Sequence, residues 1–303
     1  MLSHRPGWSW AVLIALFPFV FNGNRAEAQT FTYHANSSEV RITFFATDEN
    51  NRPIENLTKD DFAVVDNGVI IRDFRSLAHS DETSFHIVAL VDTSGSVAAH
   101  SRETLRQVVR LTSPSSLAND DNLSIVSFSG LQPQILCASD CVSSATEAKI
   151  VNLKVAGPTP LFDTLVYASR LILGRHTPGV RDVMILFSDG EDTISVADSD
   201  EALAAVVSSG ALLYTVDLGP SANSRGGQAL QQMAAVTGGR FFTLHDDTAN
   251  VLQTVLVDLR SSYVVTYRLP SRITGFHSLR ILPKHNLNLH FHCRGGYEYE
   301  AVP

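Results

Sequence analysis

The sequence predicts an α/β fold, a doubly wound and mostly parallel sheet flanked by β-rich N- and C-terminal segments that form a small β-sandwich. Three observations predict it. Between residues 83 and 261, near-continuous apolar runs alternate with stretches of helical periodicity, the pattern of strands buried on both faces by crossover helices. On either side, residues 29–82 and 262–303 carry short alternating runs and turn residues instead. The apolar runs of the middle segment end in Asp, Ser and Thr, and the carboxyl ends of such strands are where an open α/β sheet binds its ligands.

The elements follow in chain order. Residues 1–28 read as a secretory signal peptide: His4 and Arg5, the apolar run WSWAVLIALFPFVF, then Ala26 and Ala28 in an A-x-A arrangement, with cleavage after Ala28. The apolar run is short for a bilayer span and Pro18 interrupts it, so the expectation is cleavage, a mature chain without a membrane span, and a secreted or periplasmic location. EVRITFFATDENNRPIENLT gives a strand, a turn and a polar connection. DDFAVVDNGVIIRDFRSL places DNG between two apolar runs, a hairpin pattern.

From Phe85 the period changes. FHIVALVD, NLSIVSFS, RDVMILFSDGED, ALLYTVDLG and RFFTL are strands of the middle segment. Between them lie helices: SRETLRQVVRLTS with Leu105, Val108, Val109 and Thr112 in phase, and TPLFDTLVYASRLILG with Leu161, Leu165, Ala168 and Leu171 on one stripe. SDEALAAVVSSG is capped by Ser199 or Asp200 and closed by Gly210, and GGQALQQMAAVTGG is closed by glycines. DTANVLQTVLVDLRSS aligns Val251, Leu252, Val255, Leu256 and Leu259. YVVTYRL, HSLRIL and LNLHFHC then return to alternation.

Composition narrows the function. The 303 residues are 44% apolar and 18% charged, which describes a packed globular protein. The net charge of −8 and the absence of a long basic run disfavour nucleic acid as a partner. Export permits disulfides. Cys137 and Cys141 flank ASD in a loop and suit a local bridge, which leaves Cys293 over.

Three strand-end segments carry oxygen ligands. VDTSGS supplies Asp92, Ser94 and Ser96, GPTPLFD supplies Thr159, and FSDGED supplies Asp189. Two carboxylates and three hydroxyls suit a hard divalent cation, Mg²⁺ or else Mn²⁺ or Ca²⁺. D-x-S-x-S lets one tight loop turn three side chains inward, and Gly95 allows the turn. Neutral hydroxyls leave the cation electrophilic, with a coordination position open to an outside carboxylate.

These segments resemble the metal-ion-dependent adhesion site of von Willebrand factor A domains, whose pattern is D-x-S-x-S, then a Thr, then an Asp, over roughly residues 83–262. LTKDDFAVVDNG, TPLFDTL, SDGEDTIS, TGGRFF and RGGY are also similar to a group of secreted bacterial proteins related to that domain. The resemblance implies that Ser94, Ser96 and Thr159 touch the cation directly, and that Asp92 and Asp189 act mainly through bound water. It further implies that a Glu or Asp of a partner protein completes the coordination, and that the helix near 247–261 can move when the site binds. The function expected is therefore a non-enzymatic adhesion or protein-binding module. The alternatives are a structural component of an envelope assembly whose metal only stabilises the fold, and a metal-dependent hydrolase.

Other constellations are weaker. A subtilisin-like triad lacks its His and Ser contexts, a phosphoryl-accepting D-x-D fails because Ser94 stands at the second position, and no G-x-x-x-x-G-K-[ST] loop is present. DTSGS alone could be a capped helix start. His290 and His292, with Cys293 or His285, could hold a transition metal or simply occupy a solvated strand face. Glu191 and Asp192 read as rim acids, Asp163 as a packing or capping residue, and Asp217 as a strand end without companions.

Overall fold

The computed structural model describes residues 39–299 apart from 51, 80–83, 114–116, 119, 140, 178–179 and 245–250. The expected signal peptide lies outside the described residues. Among those residues no helix is long and apolar enough to cross a membrane.

The N-terminal strands are β1 (Glu39–Thr47), β2 (Phe62–Asp66), β3 (Val69–Ile71) and β4 (Ser76–His79). The DNG hairpin forms between β2 and β3, with Asp66 opposite Val69. Asn67 and Gly68 both take positive φ, 46° and 82°, the two-residue turn whose twist matches its strands.

The central sheet contains β5 (Phe85–Asp92), β6 (Asn122–Phe128), β7 (Gln134–Cys137), β8 (Arg181–Ser188), β9 (Leu212–Asp217) and β10 (Phe241–Thr243), in the spatial order β10-β9-β8-β5-β6-β7. All neighbours are parallel except β6 and β7. Alternate residues of each strand feed opposite cores, as a period of two requires. Ile87, Ala89 and Val91 meet α1 (Ser101–Leu111), α2 (Ser144–Val151) and α6 (Val251–Arg260). Val88 and Leu90 meet α3 (Leu161–Leu173), α4 (Ser199–Ser209) and α5 (Arg225–Thr237).

The last strands are β11 (Ser262–Arg268), β12 (Gly275–Pro283), β13 (His290–Cys293) and β14 (Gly296–Tyr299). They interleave with the first four into two sheets, β13-β1-β11-β4 and β14-β12-β2-β3. One core joins the two sheets, with Ile42, Phe44 and Val265 on one side and Phe62, Val64 and Leu279 on the other. Asp66, the last residue of β2, is buried. It accepts hydrogen bonds from the hydroxyls of Tyr267 and Tyr297, each at 2.7 Å, and lies 3.2 Å from His277 Nδ1. A buried carboxylate demands such partners.

Several details depart from the sequence reading. The N-cap of α4 is Asp198, whose side chain accepts the Glu201 N–H at 2.8 Å, so Ser199 and Asp200 sit inside the first turn. The buried stripe of α3 runs through Ile172, with Leu171 only partly buried. Strand β7 and helix α2 carry little periodic signal. The first has four partly exposed residues on an irregular edge, and the second buries only Thr146 and Ile150. Cys137 and Cys141 form a disulfide, and Cys293 is a free thiol.

The sandwich and the α/β unit share contacts at their junction. Thr43 and Phe45 point to the outer side of β1, and Phe45 enters the α/β core, edge-on to Tyr214 at 6.5 Å. Phe85 is flanked by two guanidiniums, Arg181 at 5.2 Å and Arg260 at 5.1 Å, a favourable arrangement over an aromatic ring. Replacing Phe45 with Ala should cost about 3–5 kcal/mol by opening a cavity at this junction, measured by urea unfolding; a loss under about 1 kcal/mol would show that the junction is not packed as described. Burial pushes the Cys293 thiol up to about 11. At pH 8 roughly one molecule in a thousand then carries the thiolate, so alkylation should run about a hundredfold slower than for free cysteine and accelerate as pH approaches 11.

Candidate metal centre

Strand order reverses at β5. The chain leaves β5 toward β6 on one side and leaves β8 toward β9 on the other, so a crevice opens between the carboxyl ends of β5 and β8. Asp92 closes β5 and Ser188 closes β8. The parallel register sets Val91 opposite Phe187, so these two residues come side by side. Ser188 Oγ donates to Asp92 Oδ2 at 2.7 Å and accepts the Gly190 N–H at 3.1 Å.

The DTSGS loop folds back on its own aspartate. The Ser94 N–H donates to Asp92 Oδ1 at 2.8 Å, a local side-chain turn typical of Asp. Ser94 is buried and Ser96 exposed, and their hydroxyl oxygens lie 3.1 Å apart. Adjacent ligands of an octahedral ion with 2.0–2.1 Å bonds are separated by about 2.9 Å. The hydrogen bond between the two hydroxyls holds them within about 0.2 Å of the spacing that one Mg²⁺-sized ion would impose.

Thr159 is delivered by the start of α3, and the loop after β8 holds it there. Pro160, the N-cap residue, offers no side-chain cap. The orphan N–H groups of the first turn find partners elsewhere, Phe162 N–H donating to Asp192 Oδ1 at 3.3 Å and Asp163 N–H to Ser195 Oγ at 3.0 Å, and just ahead of the helix Thr159 N–H donates to Thr193 Oγ1 at 2.7 Å. Asp163 answers by accepting the N–H groups of Val196 and Ala197 at 3.1 and 2.9 Å. The loop that begins with Asp189 thus caps the helix that begins beside Thr159.

Backbone bonds tie the remaining loops. Thr93 N–H reaches Phe128 O at 3.0 Å, Gly95 N–H reaches Gly157 O at 3.0 Å, and Gly130 N–H reaches Pro158 O at 2.8 Å. Gly190 has φ +78° and would place a Cβ 2.3 Å from the Gly226 carbonyl oxygen, so the Asp189 turn lies directly on the start of α5.

The structure therefore brings the loops of all five candidate residues, Asp92, Ser94, Ser96, Thr159 and Asp189, to one crevice. Among the described residues, no Lys, Arg or His hydrogen-bonds to any of the five side chains, and Thr159 Oγ1 and Asp189 Oδ2 have no hydrogen-bond partner. Burial, helped by the nearby Asp189 charge, raises the Asp92 carboxyl above its usual range. A cation in the crevice would relieve that cost. The donor chemistry therefore fits a hard cation.

Sequence reasoning missed Ser188, Thr193 and Ser195. The register of β5 against β8 reveals the first. The others are legible only once α3 is seen to lack a cap of its own. Asp192 is a capping residue and Glu191 an exposed rim acid. Asp217 lies next to the site, since a Cβ on Gly219 would approach both Asp217 and Asp189. His290 and His292 are exposed, while Cys293 faces the sandwich core from the other side of β13. Among the described residues, no three of His, Cys, Asp and Glu gather as a metal site.

Residues 86–256 match the family described as the von Willebrand factor type A domain. A curated relative, the magnesium-chelatase 67 kDa subunit of Chlorobaculum parvum, is 24% identical over 182 residues, 54% of this chain and 29% of that protein. The chain thus spans under a third of the curated relative it matches. Among solved structures, an aerotolerance-related membrane protein from Bacteroides fragilis is similar at 17% identity and a TM-score of 0.46, over 58% of this chain and 98% of that one. The pilus adhesin SpaC of Lactobacillus rhamnosus GG is similar at 10% identity and a TM-score of 0.46, over 84% of this chain and 47% of that one.

Gly190→Ala should destabilise the fold by more than about 2 kcal/mol, because it combines left-handed backbone with a clash against backbone. Thermal unfolding measures it, and an unchanged midpoint would mean that the Gly190–Gly226 contact is absent.

Proposed function

The chain belongs to the von Willebrand factor type A domain family, and we propose that it is an exported protein-binding module whose metal centre captures a partner's carboxylate. Domains of this family generally mediate metal-dependent protein–protein interaction. Here Ser94, Ser96 and Thr159 would contact a Mg²⁺-type ion directly. Asp92 and Asp189 would balance its charge, mainly through water. A Glu or Asp of the partner would take the remaining position.

The observation that carries this reading is the 3.1 Å spacing of the Ser94 and Ser96 hydroxyls beside the buried Asp92 carboxylate. The similarity to a magnesium-chelatase subunit supports testing Mg²⁺ before Mn²⁺ or Ca²⁺. Export is supported by the N-terminal apolar run and by the Cys137–Cys141 disulfide, since such bridges persist in oxidising compartments.

The desolvated state of Asp92 also favours a second reading, in which the ion only stabilises the fold of an envelope component. Calorimetry on residues 29–303 separates the two when combined with a partner search. The wild type should bind one Mg²⁺ or Mn²⁺, Asp92→Ala should bind none, and Ser188→Ala should bind about 10–100-fold more weakly because it loses the group that orients Asp92. Loss of partner capture on chelation, with the fold intact, supports the binding module. Loss of thermal stability alone supports the structural metal. Turnover on ester or peptide substrates would overturn both in favour of a hydrolase.

A further inference from the structure

A second polar cavity lies at the opposite end of the sheet. It occupies about 350 Å³ between the sandwich and the start of β8. Residue 181 opens β8 and residue 188 closes it, so the cavity is roughly 23 Å from the metal centre at 3.3 Å per strand residue. Arg41 and Arg294 of the sandwich, Arg181 of β8, and His176 line it, with Thr43 and Ser208 supplying hydroxyls.

The charge at this place runs against the rest of the molecule. The chain carries a net −8, yet three arginines line this cavity. Asp182 is the one acidic residue among the described lining residues. Both of its oxygens are already engaged, Oδ1 with His86 Nδ1 and Oδ2 with His176 Nδ1, each at 3.1 Å. The C-terminal ends of α3 and α4 also reach the cavity through Leu173, Ser209 and Gly210. Each helix end contributes about half a negative charge. Together with Asp182 they temper the charge of the three arginines.

The fold holds these cations in place. Thr43 and Phe45 share the outer side of β1 with Arg41, two residues apart each, and Phe45 is anchored in the α/β core. Arg181 donates to Ser262 Oγ at 2.9 Å and stacks on Phe85. Burial, and secondarily the charge of Arg41, lower the Arg181 guanidinium to about 10. The Gly238 turn packs on the backbone of Arg294, where an added Cβ would come within 2.9 Å of its nitrogen.

We propose that this cavity binds a compact phosphate-class oxyanion, clamped between Arg41 and Arg294 of the sandwich and Arg181 of the α/β unit. A guanidinium presents a planar fork of donors suited to phosphate or carboxylate oxygens. A single carboxylate is satisfied by one fork. A tetrahedral phosphate offers oxygens in several directions and matches cations that arrive from two different sheets. Because the ligand would bridge both units, binding would also tighten their junction.

The test is calorimetric titration of the full chain, stripped of divalent ions on a chelating resin, with inorganic phosphate and then pyrophosphate at constant ionic strength. One-to-one binding is expected. Arg41→Gln should weaken it at least tenfold, the loss of one charge-assisted contact, and Asp92→Ala should bind as the wild type does. Arg41 is exposed, so its variant should fold, and circular dichroism verifies this. Arg294→Gln is the second variant; if it fails to fold, Arg41→Gln decides alone. Three results would overturn the proposal: no binding of either anion beyond that of chloride, wild-type affinity in Arg41→Gln, or tighter binding of citrate than of pyrophosphate, which would assign the cavity to carboxylates.

Discussion

A buried carboxylate at the end of a buried strand is the constraint on which the crevice end of the molecule depends. Asp92 cannot be left bare in the crevice, because an unpartnered buried charge costs several kcal/mol. The chain satisfies it from both neighbours, with a hydroxyl from β8 and a backbone N–H from its own loop. The first ties the end of β5 to the end of β8, and the second folds the loop back onto its own aspartate. They also aim the DTSGS turn across the crevice rather than out to solvent.

The same economy governs Thr159. Helix α3 begins without a cap of its own, and its first turn borrows acceptors from the loop after β8. Asp163 returns the favour to the backbone of that loop. The hydroxyl from one segment and the carboxylate from the next are therefore not positioned separately. Any displacement of the Asp189 loop uncaps α3, and any fraying of α3 frees the loop.

How much of this the sequence disclosed depends on the range of the interaction. FHIVALVD and RDVMILFS read as buried strands because their central runs, IVALV and VMILF, have no polar face to offer. The DNG turn read as a hairpin because its two central residues must accept positive φ. Of the five candidate residues, Asp92, Ser94, Ser96 and Asp189 were legible because they follow apolar runs at strand ends, and Thr159 because it stands just before a helix. Ser188 was not, since its role arises only from the register of two strands about a hundred residues apart. Strand β7 and helix α2 were hidden because the few side chains they bury repeat too briefly to set a period. The cationic cavity was hidden for the same reason as Ser188: Arg41 and Arg294 approach Arg181 only after the two chain ends have met.

That meeting has a mechanical meaning. Strand β1 is hydrogen-bonded along seven residues to β11 and along four to β13, so the two ends of the described chain are sewn into one sandwich. The whole α/β unit hangs from it between residues 79 and 262, as a closed loop of chain. Tension pulling the two ends apart is borne by the sandwich ladders, and the looped-out unit stays off the load path until those ladders fail. The crevice at Asp92 would then keep its shape under a pull on the two ends that already strains the sandwich.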